Sequence, residues 1–202
     1  MAGGRYRHAR VDALIGAAAI SSLVFVWLVA VPALQPGEMA RHASHALWTY
    51  VHIAGGIAML VGGAIALRIG LTREWFALHK IAGYSYIGLG GIGAVTALWR
   101  SFETVHTPGL STGMLAAAWL AFTAMAWRAT RNRRYDQHRE WMIRSYVLAW
   151  TFVFCRFWTR AAPSALQGGE TDMIWATWIG PVLLAEIVLQ WRRGAKLNSP
   201  SA

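Results

Sequence analysis

Four histidines stand inside or beside long apolar runs. His52 lies within one run, His79 and His138 each open another, and His106 sits in a short loop between two more. An imidazole in or at the end of a membrane helix is costly unless it is paired, hydrogen-bonded or bound to a metal. Imidazole nitrogen is also the commonest protein ligand for haem iron and other transition metals. His45 joins them as a candidate metal ligand, because His42 and His45 stand three residues apart where a helix begins.

Arginines add a second kind of chemistry. Arg144 lies six residues beyond His138, roughly 9 Å along the same helix. Glu186, in the antiparallel last span, falls at a similar depth, so an Arg144–Glu186 pair is expected to offset two buried charges. Arg156 has no carboxylate at its own depth. It is expected to reach outward to the interface, to meet a lipid phosphate, or to hold an anionic cofactor group such as a haem propionate. Glycines accompany the histidines. Gly56 follows His52 by four residues and Gly83 follows His79 by four, one helical turn in each case. A missing side chain beside an imidazole leaves room for a flat macrocycle or for a neighbouring helix, and helix packing is the preferred reading of the glycines themselves.

These side chains need a membrane scaffold to position them. The 202 residues are 56% hydrophobic and 14% charged, and the apolar residues fall in blocks of roughly 20, the length that spans a bilayer as helix. The class is all-α: a polytopic membrane bundle forming a single integral domain over residues 1–202, with short basic tails at 1–11 and 192–202. Six spans are expected, at Asp12–Ala33, Ser44–Ile69, His79–Arg100, Thr112–Ala129, His138–Arg160 and Asp172–Trp191. The first reads as an uncleaved helix, because its apolar stretch is longer than a signal-peptide core. A net charge of +10 could suggest nucleic acid, but the basic residues cluster at helix ends, as charges facing cytoplasm and anionic lipid do. No glycine-rich phosphate loop follows a strand, which argues against a nucleotide. Cys155 stands alone and excludes an intramolecular disulfide.

Arginine and lysine crowd the N-terminus, the second and fourth loops and the C-terminal tail. That bias predicts both termini on the cytoplasmic face of the plasma (inner) membrane, consistent with an even number of spans. Depth then divides the histidines into an inner pair, His79 and His138, and an outer group led by His52 and His106. Glu38, Glu103 and Glu170 are outward carboxylates that could complete a metal site; Glu74 and Asp136 are inward ones. Tryptophans near the proposed helix ends, Trp99 and Trp191 among them, read as interfacial anchors.

The run from His138 through Glu140, Trp141, Arg144 and Tyr146 to Arg156 resembles the signature of the bacterial membrane family called domain of unknown function 2306. The segment His79-Lys80-Ile81-Ala82-Gly83-Tyr84-Ser85-Tyr86 is similar to that family's other main motif, which usually has arginine where Lys80 stands. His52 with its glycines fits the same pattern. The resemblance covers about residues 44–160 and implies six to seven helices, but no activity. At the level of layout alone, the chain is also similar to di-haem b-type cytochromes and haem A synthase.

Four readings follow. The first is a haem-b electron-transfer protein, with His79 and His138, and His52 and His106, as axial ligands, Arg144 or Arg156 on the propionates, and a quinone or another redox protein as partner. The second is a non-haem metal protein or enzyme using the same histidines and His45. The third is a small transporter, and the fourth a cofactor-free scaffold whose histidines bond between helices.

Overall fold

Long apolar runs with few charges become helices in a bilayer because only a helix satisfies every backbone amide within its own segment. The computed structural model describes residues 2–33, 35, 37, 46–72, 75–103, 107–161, 163 and 169–197. Every regular element among them is helical. The chain forms two compact units, Met1–Arg100 and Ser101–Ala202, and each is described by itself.

The first unit opens with α1 (Ala2–Phe25), which runs on through a π-helical turn at Val26–Ala30 and a last turn at Val31–Ala33. Next come α2 (Ala46–Thr72), with a π-helical turn at Ala58–Gly62, and α3 (Phe76–Glu103). Trp75 turns the chain between α2 and α3. It takes a left-handed backbone (φ 52°), and its carbonyl accepts from the amides of Leu78 and His79 at 2.9 and 3.2 Å to start α3. The two helices then lie antiparallel in very close contact. A Cβ added to Gly55 would stand 2.8 Å from both the Gly93 Cα and the Leu89 carbonyl oxygen, so only glycine permits this approach. Further along, Gly62 faces the Ala82 carbonyl, and α1 packs on the later half of α2.

The second unit holds α4 (Thr107–Arg131), α5 (Tyr135–Ala149), α6 (Thr151–Ala161) and α7 (Glu170–Leu197). Arg133, also left-handed (φ 58°), turns the chain from α4 into α5. The helix α7 runs antiparallel along both α5 and α6. Its Glu186 meets Arg144 of α5, and its Thr177 hydroxyl lies 2.9 Å from the Cys155 Sγ of α6.

Among the described residues, four helices are long and apolar enough to cross a membrane: Ala46–Thr72, Phe76–Phe102, Gly109–Arg131 and Thr171–Gly194. A shorter apolar helix, Ile15–Val29, lies within the first expected span. The fifth expected span, His138–Arg160, is divided. The backbone of Trp150 bonds three residues back to the Val147 carbonyl at 3.2 Å, and α5 ends there. Five charged side chains, Arg139, Glu140, Arg144, Arg156 and Arg160, lie along this segment.

Candidate functional site

Three of the candidate histidines lie among the described residues, and all three are held in the same way. His79, at the start of α3, bonds through Nδ1 to the Ala66 carbonyl of α2 at 2.9 Å. His138, near the start of α5, bonds through Nδ1 to the Ala126 carbonyl of α4 at 3.0 Å. His52, inside α2, bonds through Nδ1 to the Gly93 carbonyl of α3 at 3.1 Å. A carbonyl oxygen only accepts, so each contact assigns the proton to Nδ1. In the neutral ring the lone pair then belongs to Nε2, the tautomer in which a histidine ligates through Nε2.

The surroundings of each ring are specific. Around His79, Gly70 provides the room: a Cβ there would sit 3.1 Å from the imidazole Cε1. Phe76 stacks on the other side, with ring centroids 5.6 Å apart and planes inclined by 23°. At His138 the place of Gly70 is taken by Thr130. Its hydroxyl lies 2.7 Å from Nδ1 and 3.2 Å from the Ala126 carbonyl. With the proton on Nδ1, the threonine oxygen accepts from the imidazole and donates to that carbonyl, closing a three-membered set.

The glycines divide by role. Gly55, three residues after His52, is the packing glycine. Among the described residues, a Cβ at Gly56 or Gly83 would meet nothing within 4 Å. Those two, each one turn beyond a histidine, leave open space rather than serving helix contact.

The expected pairing of Arg144 with Glu186 is present. The Arg144 Nε and Nη2 both reach Glu186 Oε2, at 2.7 and 2.6 Å. Glu140, one turn before Arg144, adds a second carboxylate at 3.7 Å from Nη1 and binds Arg193 of α7 through both its oxygens. Gln190 donates to Glu186 Oε1 at 2.6 Å, and the Trp141 ring lies 4.8 Å from the Arg144 guanidinium carbon. The Arg144 side chain is 8% exposed. Two arginines thus meet two carboxylates in a neutral network, which is what makes burial of the inner charges tolerable. Sequence reading missed Glu140, Gln190 and Arg193. The signal was there in the Glu140–Arg144 spacing of one turn; the reverse register sets Gln190 opposite Glu140 when Glu186 meets Arg144, and Arg193 reaches Glu140 from three residues further along α7.

Other candidates fall elsewhere. Arg156 is exposed on α6. Asp136 pairs with Arg139 at 3.6 Å on an exposed turn. Residues His42, His45, His106, Glu38 and Glu74 lie outside the described residues, as do the side chains of Glu103 and Glu170. His79 belongs to the first unit and His138 to the second. Among the described residues no three His, Cys, Asp or Glu side chains converge as a metal-holding set.

Several apolar helices of membrane-crossing length, and an ion network whose Arg144 and Glu140 are withdrawn inside one of their units, define a polytopic helical membrane protein. A family model described as "Predicted membrane protein (DUF2306)" matches residues 49–189, most of the chain, and the protein belongs to that family. The match runs from α2 into α7, further than the 44–160 core expected from the motifs. No curated protein and no solved structure matches the chain.

Proposed function

We propose that this integral membrane protein binds haem b through imidazole Nε2 and carries single electrons within the membrane. One observation supports the reading above others: each described histidine of the apolar segments gives its Nδ1 proton to a backbone carbonyl on a neighbouring helix. That contact fixes ring orientation and tautomer, as partners of metal-bound imidazoles do. Haem itself supplies four nitrogens, so it asks only one or two ligands of the protein. A non-haem ion needs three or more, which makes haem the better fit to separately placed histidines.

In this reading His79 and His138 are the principal ligands and His52 is a third at another level of the bundle. Arg144 is already committed to Glu140 and Glu186, and Arg156 lies 18 residues beyond His138, about 27 Å of helical rise, out of reach of a propionate on a haem held there. The open space beside Gly56 and Gly83 suits a flat ring. Both termini face the cytoplasm of a plasma (inner) membrane, and a quinone or another redox protein exchanges the electron. The bound group would supply the Fe(III)/Fe(II) couple; the protein supplies ligands, orientation and a dry surrounding.

Purified, haem-replete protein should show a Soret band and sharp visible bands that appear on reduction. A spectrum without them overturns the proposal, and elemental analysis of the same sample would then expose a non-haem ion. A second reading rests on the same hydrogen bonds: the histidines pin neighbouring helices together and hold nothing. His79→Asn and His138→Asn separate the two, because asparagine keeps a donor near the Nδ1 position and lacks the Nε2 ligand. Loss of haem with thermal stability retained supports the ligand role.

A further inference from the structure

The two helix hairpins that carry His79 and His138 follow one plan. In the first, Ala66 supplies the carbonyl, Arg68 follows two residues later, and Gly70 lies one turn on, against the imidazole. In the second, Ala126 supplies the carbonyl, Arg128 follows two residues later, and Thr130 lies one turn on, again against the imidazole. Each connection contains a left-handed residue other than glycine, Trp75 and Arg133, at φ 52° and 58°. Each returning helix opens with an aromatic residue three before its histidine, Phe76 and Tyr135. Each then places a cation directly after it, Lys80 and Arg139. Two turns further, both helices carry a Ser-Tyr pair, Ser85-Tyr86 and Ser145-Tyr146, and both tyrosines are buried.

The correspondence reaches past composition. The second connection is one residue shorter between carbonyl and histidine, and its helix is one residue longer between histidine and tyrosine. Even so, the same nitrogen meets the same kind of acceptor at nearly the same distance. Non-glycine residues with positive φ are uncommon, and Trp75 and Arg133 are the two found among the described residues. They do not stand at the same point, Trp75 four residues before His79 and Arg133 five before His138, but each lies in the turn that leads into its histidine's helix.

We infer that the two hairpins are two copies of one site, and that each unit holds its own imidazole-ligated haem through the Nε2 of His79 or of His138. The inference rests on the proposed haem binding and adds a stoichiometry and an assignment to it. His52 has the carbonyl contact but lies mid-helix, without the turn, with Thr49 in place of the aromatic three residues before it and Ile53 in place of the following cation, and stands outside the repeat.

Haem titration of the full-length protein in detergent, read by the Soret band and by pyridine haemochrome per chain, tests it. Two equivalents should bind. His79→Asn should remove one and His138→Asn the other, and the double variant should bind none, while size-exclusion profile and helical circular dichroism stay as in the parent. Gly70→Ala, which crowds only the His79 ring, and Thr130→Val, which loosens only the His138 ring, should each weaken one equivalent and spare the other. A single equivalent abolished by either asparagine variant means one haem shared by both histidines and overturns the inference while leaving haem binding intact. A single equivalent sensitive to only one variant overturns it too, since only one hairpin would then be a site. No binding by the parent removes the proposed function and this inference together.

Discussion

The two units solve the same membrane problem with different chemistry. In the first, α2 and α3 come together through small residues: Gly55 lies on Gly93, and Gly62 on the Ala82 carbonyl. In the second, α5 and α7 are joined by Arg144, Glu140, Glu186 and Arg193. Apolar lipid gives helices no hydrophobic reason to associate. Close backbone approach gains dispersion over many weak contacts and tolerates almost no added volume. Buried ion pairing gains directional attraction, but depends on every charge keeping its partner. One interface should therefore fail by crowding and the other by loss of a partner.

The largest effect is expected at the ion network. Arg144→Met takes the cation from Glu186 while Glu140 keeps Arg193; because Glu186 is partly exposed, the loss is expected at about 3 kcal/mol, the low end for one partner of a buried pair. Thermal unfolding in detergent should show a large fall in Tm, and the Arg144→Met/Glu186→Leu double variant should recover much of it. A double variant as unstable as the single one would mean the network is not held by charge balance. Next comes crowding in the first unit. Gly55→Ala should cost about 1–3 kcal/mol, the usual range for overpacking, whereas Gly56→Ala, one residue on, should be nearly silent. Equal effects at the two positions would dissolve the distinction between packed and open glycines. Thr130→Val follows, with a loss of about 1–2 kcal/mol for the two hydrogen bonds of its hydroxyl, confined to the second unit. Hydrogen exchange at the α4–α5 hairpin should rise while the α2–α3 hairpin is unchanged. Smallest is Asp136→Asn, which removes an exposed ion pair with Arg139 and should shift stability by less than about 1 kcal/mol.

Much of this contrast was legible in the chain. Arg144 and Glu186 could be paired from depth alone, because helical rise converts residue count into distance and an unpaired charge has nowhere stable to go. The all-helical class followed from hydropathy and length. The expected span over His138–Arg160 did not survive as one continuous apolar helix. Its break at Trp150 depends on how Trp150 and Thr151 bond back to Val147 and Leu148, which no local pattern announces. The glycines show the same limit. Gly55 and Gly56 are adjacent and chemically identical, yet one touches a neighbouring backbone and the other faces open space. Rotation of α2 about its axis decides between them.

By itself, then, the sequence determined a helical membrane protein, the places where polar groups had to be paired, and which histidines were worth attention. Hydropathy, residue spacing and the cost of burying charge suffice for that, since each acts along a single segment. Only the tertiary structure decided that three imidazoles all turn Nδ1 to a neighbouring carbonyl. It alone brought Arg193 to Glu140, and showed the hairpins of His79 and His138 to share one plan. Those outcomes depend on the register between separate helices, and register is set by contacts far apart in the chain.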